Sequence, residues 1–320
     1  MKLGVINSVF IRDSLETALA HCQRLGLADI EIGTGGFHPT DHCNPSALLS
    51  NRGALDAFGN LLAKYGVAID AFAIHGEPLH PNPGIAAQYD QEFRATCELA
   101  KRLDVTKLTL LAGLPGATAN DPNPNWILYP FPPRNGENLE WQWTERLIPY
   151  WREHARIAED CGVRLCFEMH PADLIFQPSG LMRLRDAVGP VVGANLDPSH
   201  LIWQGMDVRE VVLALGEAIY HVHAKDSRVN PDVVRREGIL DTKPWREERN
   251  RSWLFRTVGY GNDQIWWRDF VSALRMVGYD SVLSIEHEDP LLDPLEGLER
   301  AVEFLRSILP EKPRAGLWFE

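Results

Sequence analysis

Eight short apolar runs recur along the 320-residue chain, and each is followed by a stretch with helical spacing. They are Leu3 to Ile6, Ala28 to Gly33, Val67 to His75, Lys107 to Gly113, and four later stretches that reach Glu168, Asp197, His223 and Glu286. Strand followed by helix, repeated in this way, requires right-handed crossovers between parallel neighbours. Eight such units, with no composition shift and no linker, predict an α/β fold: a closed (β/α)8 TIM barrel forming a single domain over residues 1–320. Helical spacing falls at about 14–20, 54–65, 85–103, 143–158, 181–188, 208–215, 266–277 and 295–309. Two segments break the rhythm and read as enlarged loops. Residues 114–140 are rich in Pro, Asn and Gly, with Trp126, Tyr129 and Phe131 interleaved, and read as a packed lid without regular structure. Residues 227–262 are basic and aromatic, with Arg235, Arg236, Arg246, Arg249, Arg251, Trp245 and Trp253.

The last four strands share one ending. Each runs from apolar residues straight into Glu, Asp or His: Phe167-Glu168-Met169-His170, Leu196-Asp197-Pro198-Ser199-His200, His221-Val222-His223 and Ile285-Glu286-His287-Glu288. Catalytic groups of such a barrel sit at the C-terminal strand ends, so Glu168, Asp197, His223 and Glu286 would meet at one rim. Three carboxylates converging there repel one another unless a cation joins them. Three oxygens and one imidazole suit one divalent ion, Mn²⁺ in first place, with Mg²⁺, Co²⁺ or Zn²⁺ as alternatives. Taken singly, an acid at a strand end is commonly a helix cap or loop salt bridge, and Asp197-Pro198-Ser199 fits a turn by itself. His221 and His223 share one side of their strand, with His221 deeper and structural. Glu288 lies further out than Glu286.

Composition narrows the partners. A net charge of -12 argues against nucleic acid or an anionic membrane surface, both of which need a basic footprint. No stretch approaches the ~20 apolar residues of a membrane span. The five cysteines, odd in number and without Cys-x-x-Cys spacing, indicate neither a disulfide framework nor a cysteine zinc site. The first residues read as a strand and not as a signal peptide. A cytoplasmic protein is expected, and the Trp-bearing insertions suit a homo-oligomer interface, with room for a second subunit type.

These motifs resemble the xylose isomerase-like barrel superfamily, in its sugar phosphate isomerase/epimerase branch, over nearly the whole chain. The resemblance implies a divalent-metal-dependent isomerase or epimerase that removes a proton next to a carbonyl and passes through a metal-stabilised enediolate. Its ligand order of Glu, Asp, His and Glu maps onto Glu168, Asp197, His223 and Glu286. Its acid/base pair then falls on Glu168 and Glu286. Its Asp-x-x-His segment matches Asp197 to His200, making His200 a substrate-binding residue, and its His-x-His pair matches His221-Val222-His223. The chain departs from the ketose 3-epimerases at Leu174, where they carry Glu, and at Val229, where they carry Arg, with Arg228 one position short. Instead it has His170, a candidate extra base, and Lys225-Asp226 after His223. His75, Lys225 and Arg228 join His200 as candidate contacts to a sugar, polyol or glycoside. A branch of the same resemblance implies the alternative of a lyase cleaving 3-oxo-glycosides by elimination, and an endonuclease IV-like phosphodiesterase is a more remote one. Gly33-Thr34-Gly35-Gly36 lacks the Gly-x-Gly-x-x-Gly phosphate fingerprint.

Overall fold

The computed structural model describes residues 1–312, so residues 313–320 of the expected domain lie outside the described residues. Among the described residues ten strands occur in chain order: β1 (Lys2–Ile6), β2 (Asp29–Gly33), β3 (Ala68–Ala73), β4 (Lys107–Leu110), β5 (Arg164–Glu168), β6 (Val192–Leu196), β7 (Ile219–Ala224), β8 (Asp226–Val229), β9 (Trp253–Arg256) and β10 (Val282–Ile285). The first seven and β10 close into a parallel barrel, β10 pairing with both β7 and β1. β8 and β9 form a separate antiparallel pair. The eightfold alternation is thus realised. The two extra strands belong to the expected 227–262 insertion, with β8 starting one residue earlier at Asp226.

Side-chain alternation divides each barrel strand between two environments. Phe167 on β5 meets Trp151 of the helix Ile148–Asp160 edge-on at 4.7 Å, so the odd positions of β5 face the helical layer. Glu168 and Cys166 therefore face the barrel axis. By the same alternation Ile30 and Ile32 pack outward while Glu31 turns inward, and Val222 separates two inward histidines. The inward set includes Glu31, Thr109, Asn195, His221, His223 and Ser284, all of them buried. The barrel interior is consequently polar, and its groups must be paired with one another.

The two enlarged loops are more ordered than their composition implies. Helix begins at Arg134, passes through a π-turn at Gln142–Leu147 and continues to Asp160, which corrects the expected start at residue 143. Pro149 supplies the reason for the wide turn: it cannot donate to the Glu145 carbonyl four residues back, and its ring crowds that carbonyl in an α-turn. The buried Gln142 donates its amide to the carbonyls of Pro115, Gly116 and Asn125, which ties the 114–133 loop down. Trp126 packs edge-on against Phe176, whereas Tyr129 and Phe131 are exposed, so only part of the expected packed lid is packed. All five cysteines are free thiols, and no helix among the described residues is long and apolar enough to cross a membrane.

The end of the 227–262 segment is gathered on the Asp226 carboxylate. Asp226 accepts hydrogen bonds from the backbone of Gly259, Gly261 and Asn262 at 3.0 to 3.1 Å, from the Asn262 amide at 2.7 Å and from the Trp267 indole at 3.2 Å. This gathers the return of the β8–β9 hairpin around a single buried side chain. Asp226→Ala leaves several buried donors without partners and is expected to cost about 3 kcal/mol in chemical denaturation. A loss below about 0.5 kcal/mol, the scale of an ordinary surface change, would show that the hairpin is held by other contacts.

Candidate metal centre

Glu168 is the last residue of β5, Asp197 follows β6, His223 is next to last in β7, and Glu286 follows β10. One ligand atom from each lies within 4.8 Å of all the others. His223 Nδ1 stands 3.2 Å from Glu168 Oε2 and 3.0 Å from Glu286 Oε2. Glu168, Asp197 and His223 are buried and Glu286 is half-buried. The sequence-predicted set is therefore assembled.

Asp197 divides its two oxygens between local structure and the cluster. Oδ1 accepts from the Ser199 amide at 2.8 Å and caps the short helix Pro198–Trp203. Oδ2 is buried without a hydrogen-bond partner, as is Glu286 Oε2. Both ring nitrogens of the buried His200 also lack one, although Nε2 lies 3.1 Å from Glu168 Oε1 and 3.3 Å from Asp197 Oδ2. Close polar atoms that do not bond to one another are the mark of a site shaped for a further group. Three carboxylates and an imidazole without thiolate fit a divalent cation of the Mg²⁺, Mn²⁺, Co²⁺ or Zn²⁺ kind. Burial, with the neighbouring Glu168 and Glu286 carboxylates, pushes Asp197 up to about 6 against the pull of His200 and Lys225. Burial also opposes ionisation of Glu168, yet His200, His223 and His75 hold it well below the usual carboxylate range.

Around this core stand the other candidates. Lys225 Nζ is buried, 3.3 Å from Glu286, 2.5 Å from Glu288 and 4.2 Å above the Phe255 ring of β9. His75 Nε2 is 3.3 Å from Glu168, and His75 Nδ1 meets His38 Nε2 at 2.9 Å. Gly36 brings these two loops together: its φ is +64°, and a Cβ there would fall 2.1 Å from the His75 carbonyl oxygen. The His170 ring lies 4.4 Å from that of His200, with Nδ1 2.6 Å from the Pro171 carbonyl oxygen. Burial, aided by His200, pushes His170 down to about 3. Arg228 is the exception: it is exposed on β8 and lines an outer cleft with Arg251 and Arg256, so the structure does not bring it to the cluster. On an antiparallel strand Arg228 takes the side opposite to the buried Ser227.

Several neighbours were not foreseen. Asn195 donates to Glu168 Oε2 at 3.0 Å. Glu31 accepts from Thr109 at 2.5 Å, Ser284 at 2.7 Å, His221 at 2.9 Å and His223 at 3.0 Å. The available signal was an acid between two isoleucines in Asp29-Ile30-Glu31-Ile32. His221 lies deeper, as expected, its Nδ1 being 3.2 Å from Asp70, which Lys107 binds at 2.7 Å.

The family model described as xylose isomerase-like TIM barrel matches residues 19–308. Over 314 residues, 97% of this chain and the whole of the other, the sequence is 36% identical to the uncharacterized protein YfiH of Bacillus subtilis (strain 168). Among solved structures, the IolI protein with a bound zinc atom aligns with a TM-score of 0.67 at 20% identity, over 96% of this chain and 98% of that one. D-psicose 3-epimerase from Clostridium cellulolyticum H10, solved with D-tagatose, aligns with a TM-score of 0.63 at 14% identity, over 96% and 99%. At these identities the two structures show a shared fold.

The Asp70 contacts give a dependence on pH. Burial resists its ionisation, but His221 and Lys107 outweigh burial and hold the carboxyl below its ordinary value. A depressed carboxyl stabilises the fold above its unfolded-state pKa and loses that contribution as pH falls through the folded-state value. Asp70→Asn should therefore be less stable at neutral pH. The gap to wild type should narrow below about pH 4 in urea titrations. A gap that stays constant on acidification would remove this account.

Proposed function

Because the chain belongs to the xylose isomerase-like TIM barrel family, we propose that it is a divalent-metal-dependent enzyme of the sugar isomerase or epimerase type. Its reaction begins by taking a proton from the carbon next to a carbonyl. The observation that carries this reading is the convergence of Glu168, Asp197, His223 and Glu286, with one buried oxygen each of Asp197 and Glu286 left without a hydrogen-bond partner. Those four residues would hold the cation. Once bound, such a cation polarises a carbonyl and offsets negative charge developing on its oxygen.

The chain's own groups supply the rest. The Glu168 carboxylate accepts the proton from the carbon; the C–H electron pair becomes the new carbon–carbon π bond, and the carbonyl π pair moves onto oxygen. Glu286 in its acid form returns a proton, to the opposite face of the same carbon for epimerisation; for isomerisation the proton goes to the former carbonyl carbon while the neighbouring hydroxyl's proton passes to the former carbonyl oxygen, leaving the new carbonyl at the hydroxyl-bearing carbon. The two glutamates finish with exchanged protonation states, which is the form that runs the reverse reaction. The Lys225 ammonium, between Asp197 and Glu286, offers positive charge and hydrogen bonds to substrate oxygens. His75 and His200 orient Glu168, and burial of the set keeps water from competing for the carbanionic centre.

A second reading has its own support in His170. When this imidazole is neutral and its Nδ1–H is given to the Pro171 carbonyl, Nε2 keeps the lone pair of a base. Together with the stacked Trp203–Trp253 and Trp245–Phe255 pairs leading to His200, this favours a lyase on 3-oxo-glycosides. There the same proton abstraction is followed by departure of the aglycone from the next carbon, which takes up a proton as it leaves.

Metal-reconstituted wild-type protein should incorporate solvent deuterium next to the carbonyl of a ketose or 3-oxo-sugar. Glu168→Gln and Glu286→Gln should each slow that exchange by about 10²–10⁴-fold. Metal-dependent release of free aglycone from a 3-oxo-glycoside would select the lyase. No exchange with any such substrate at full metal occupancy would end the proposal.

A further inference from the structure

Glu31 is 1% exposed, carries a carboxylate into the centre of a closed barrel, and belongs to no step of the reaction described above. An ionised carboxylate only accepts hydrogen bonds and has about four lone-pair positions. Four side chains occupy them from three other strands: Thr109 on β4, Ser284 on β10, and His221 and His223 on β7. Glu31, His221 and His223 also lie close enough to share an ion, but the filled lone pairs of Glu31 make it a hydrogen-bond hub.

Because Glu31 cannot donate, His221 and His223 must each bring the proton on Nε2. For His223 this has a consequence at the other ring nitrogen. A neutral imidazole protonated on Nε2 keeps its lone pair on Nδ1, the atom that faces Glu168 at 3.2 Å and Glu286 at 3.0 Å. The ring cannot flip without losing its bond to Glu31. His221 steadies the carboxylate in turn, since it donates to Glu31 Oε2 from the neighbouring depth of β7.

We propose that Glu31 is the positioning residue of the cation site: it holds His223 as the Nε2–H tautomer, aims Nδ1 at the Glu168 and Glu286 carboxylates, and thereby sets the affinity for the divalent ion. This rests on the cation-site reading given above. Carboxylates hydrogen-bonded to ligating histidines typically account for about 10–100-fold in metal affinity. In Glu31→Gln an amide group replaces one acceptor edge. His223 can then meet it with an unprotonated Nε2, which puts the proton on Nδ1 where the ligand lone pair is needed.

The test measures Co²⁺ affinity by chelator competition and the visible Co²⁺ spectrum at saturation, on full-length wild type, E31Q, E31D and T109V. Thermal melting of each metal-free variant reports folding separately. Wild type should bind one Co²⁺. E31Q, and E31D with its shorter reach, should bind about 10–100-fold more weakly with shifted absorption bands. T109V removes one donor to Glu31 but leaves the carboxylate on His223, so it should lose melting temperature while its affinity stays within about threefold of wild type. If E31Q fails to fold, E31D and T109V decide the matter by the same comparison. Wild-type affinity and spectrum in the folded Glu31 variants would overturn this role alone, as would a T109V loss equal to theirs. A wild-type protein that takes up no Co²⁺ would overturn the cation site and this role together.

Discussion

Charge placed inside a closed barrel is the constraint from which the rest follows. An isolated carboxylate moved out of water costs several kcal/mol even after relaxation, so each must be matched where it lies. The interior meets this in layers. At the N-terminal end Lys107 pairs with Asp70. Midway, Glu31 is saturated by two hydroxyls and two imidazoles. At the C-terminal rim three carboxylates crowd around His223, His200 and Lys225. In this last layer unmatched polar atoms of Asp197, Glu286 and His200 face one another in a single cluster, which is the feature the proposed cation would satisfy.

The layers share residues. His221 touches both Asp70 and Glu31, while His223 touches Glu31 and the rim carboxylates. The two-residue period of β7 places these imidazoles on one side at successive depths. A strand of alternating His and apolar residues is therefore a vertical connector, with the outward residue Val222 packed in the core. Removing a charged member exposes its partners' charge, so the charged groups of the interior behave as one network and not as a sum of pairs.

What could be read in advance follows from where polarity interrupts apolarity. Glu168, Asp197, His223 and Glu286 each come at the end of an apolar run, and in a parallel barrel those ends are one place. Glu31 sits inside its run, where an acid is usually taken for one exposed edge of a half-buried strand. Its burial depends on partners on β4, β7 and β10 that no local pattern reveals. Asn195, one turn of the pleat before Asp197, was hidden for the same reason. Arg228 was placed by distance from His223 along the chain, but β8 leaves the barrel directly after β7 and turns that side chain outward. The helical start at Arg134 was obscured by neighbouring prolines and Gly136, and a π-turn has no period of its own to detect.

Asp197 joins local folding to the site most directly. Its Oδ1 starts the helix Pro198–Trp203, and one turn later that helix returns His200 to within 3.3 Å of Oδ2. Ser199, whose amide makes the cap, also offers its carbonyl to the Ser227 hydroxyl at 2.8 Å, at the root of the β8–β9 hairpin. The hairpin in turn sets Phe255 against both His200 and Lys225. The reading of Asp197 as a cap and the reading as a ligand are thus not rivals. A carboxylate that spends one oxygen on a helix start has the other fixed in direction, so the same folding event that forms the helix orients the proposed ligand oxygen and carries His200 and the hairpin into register with it.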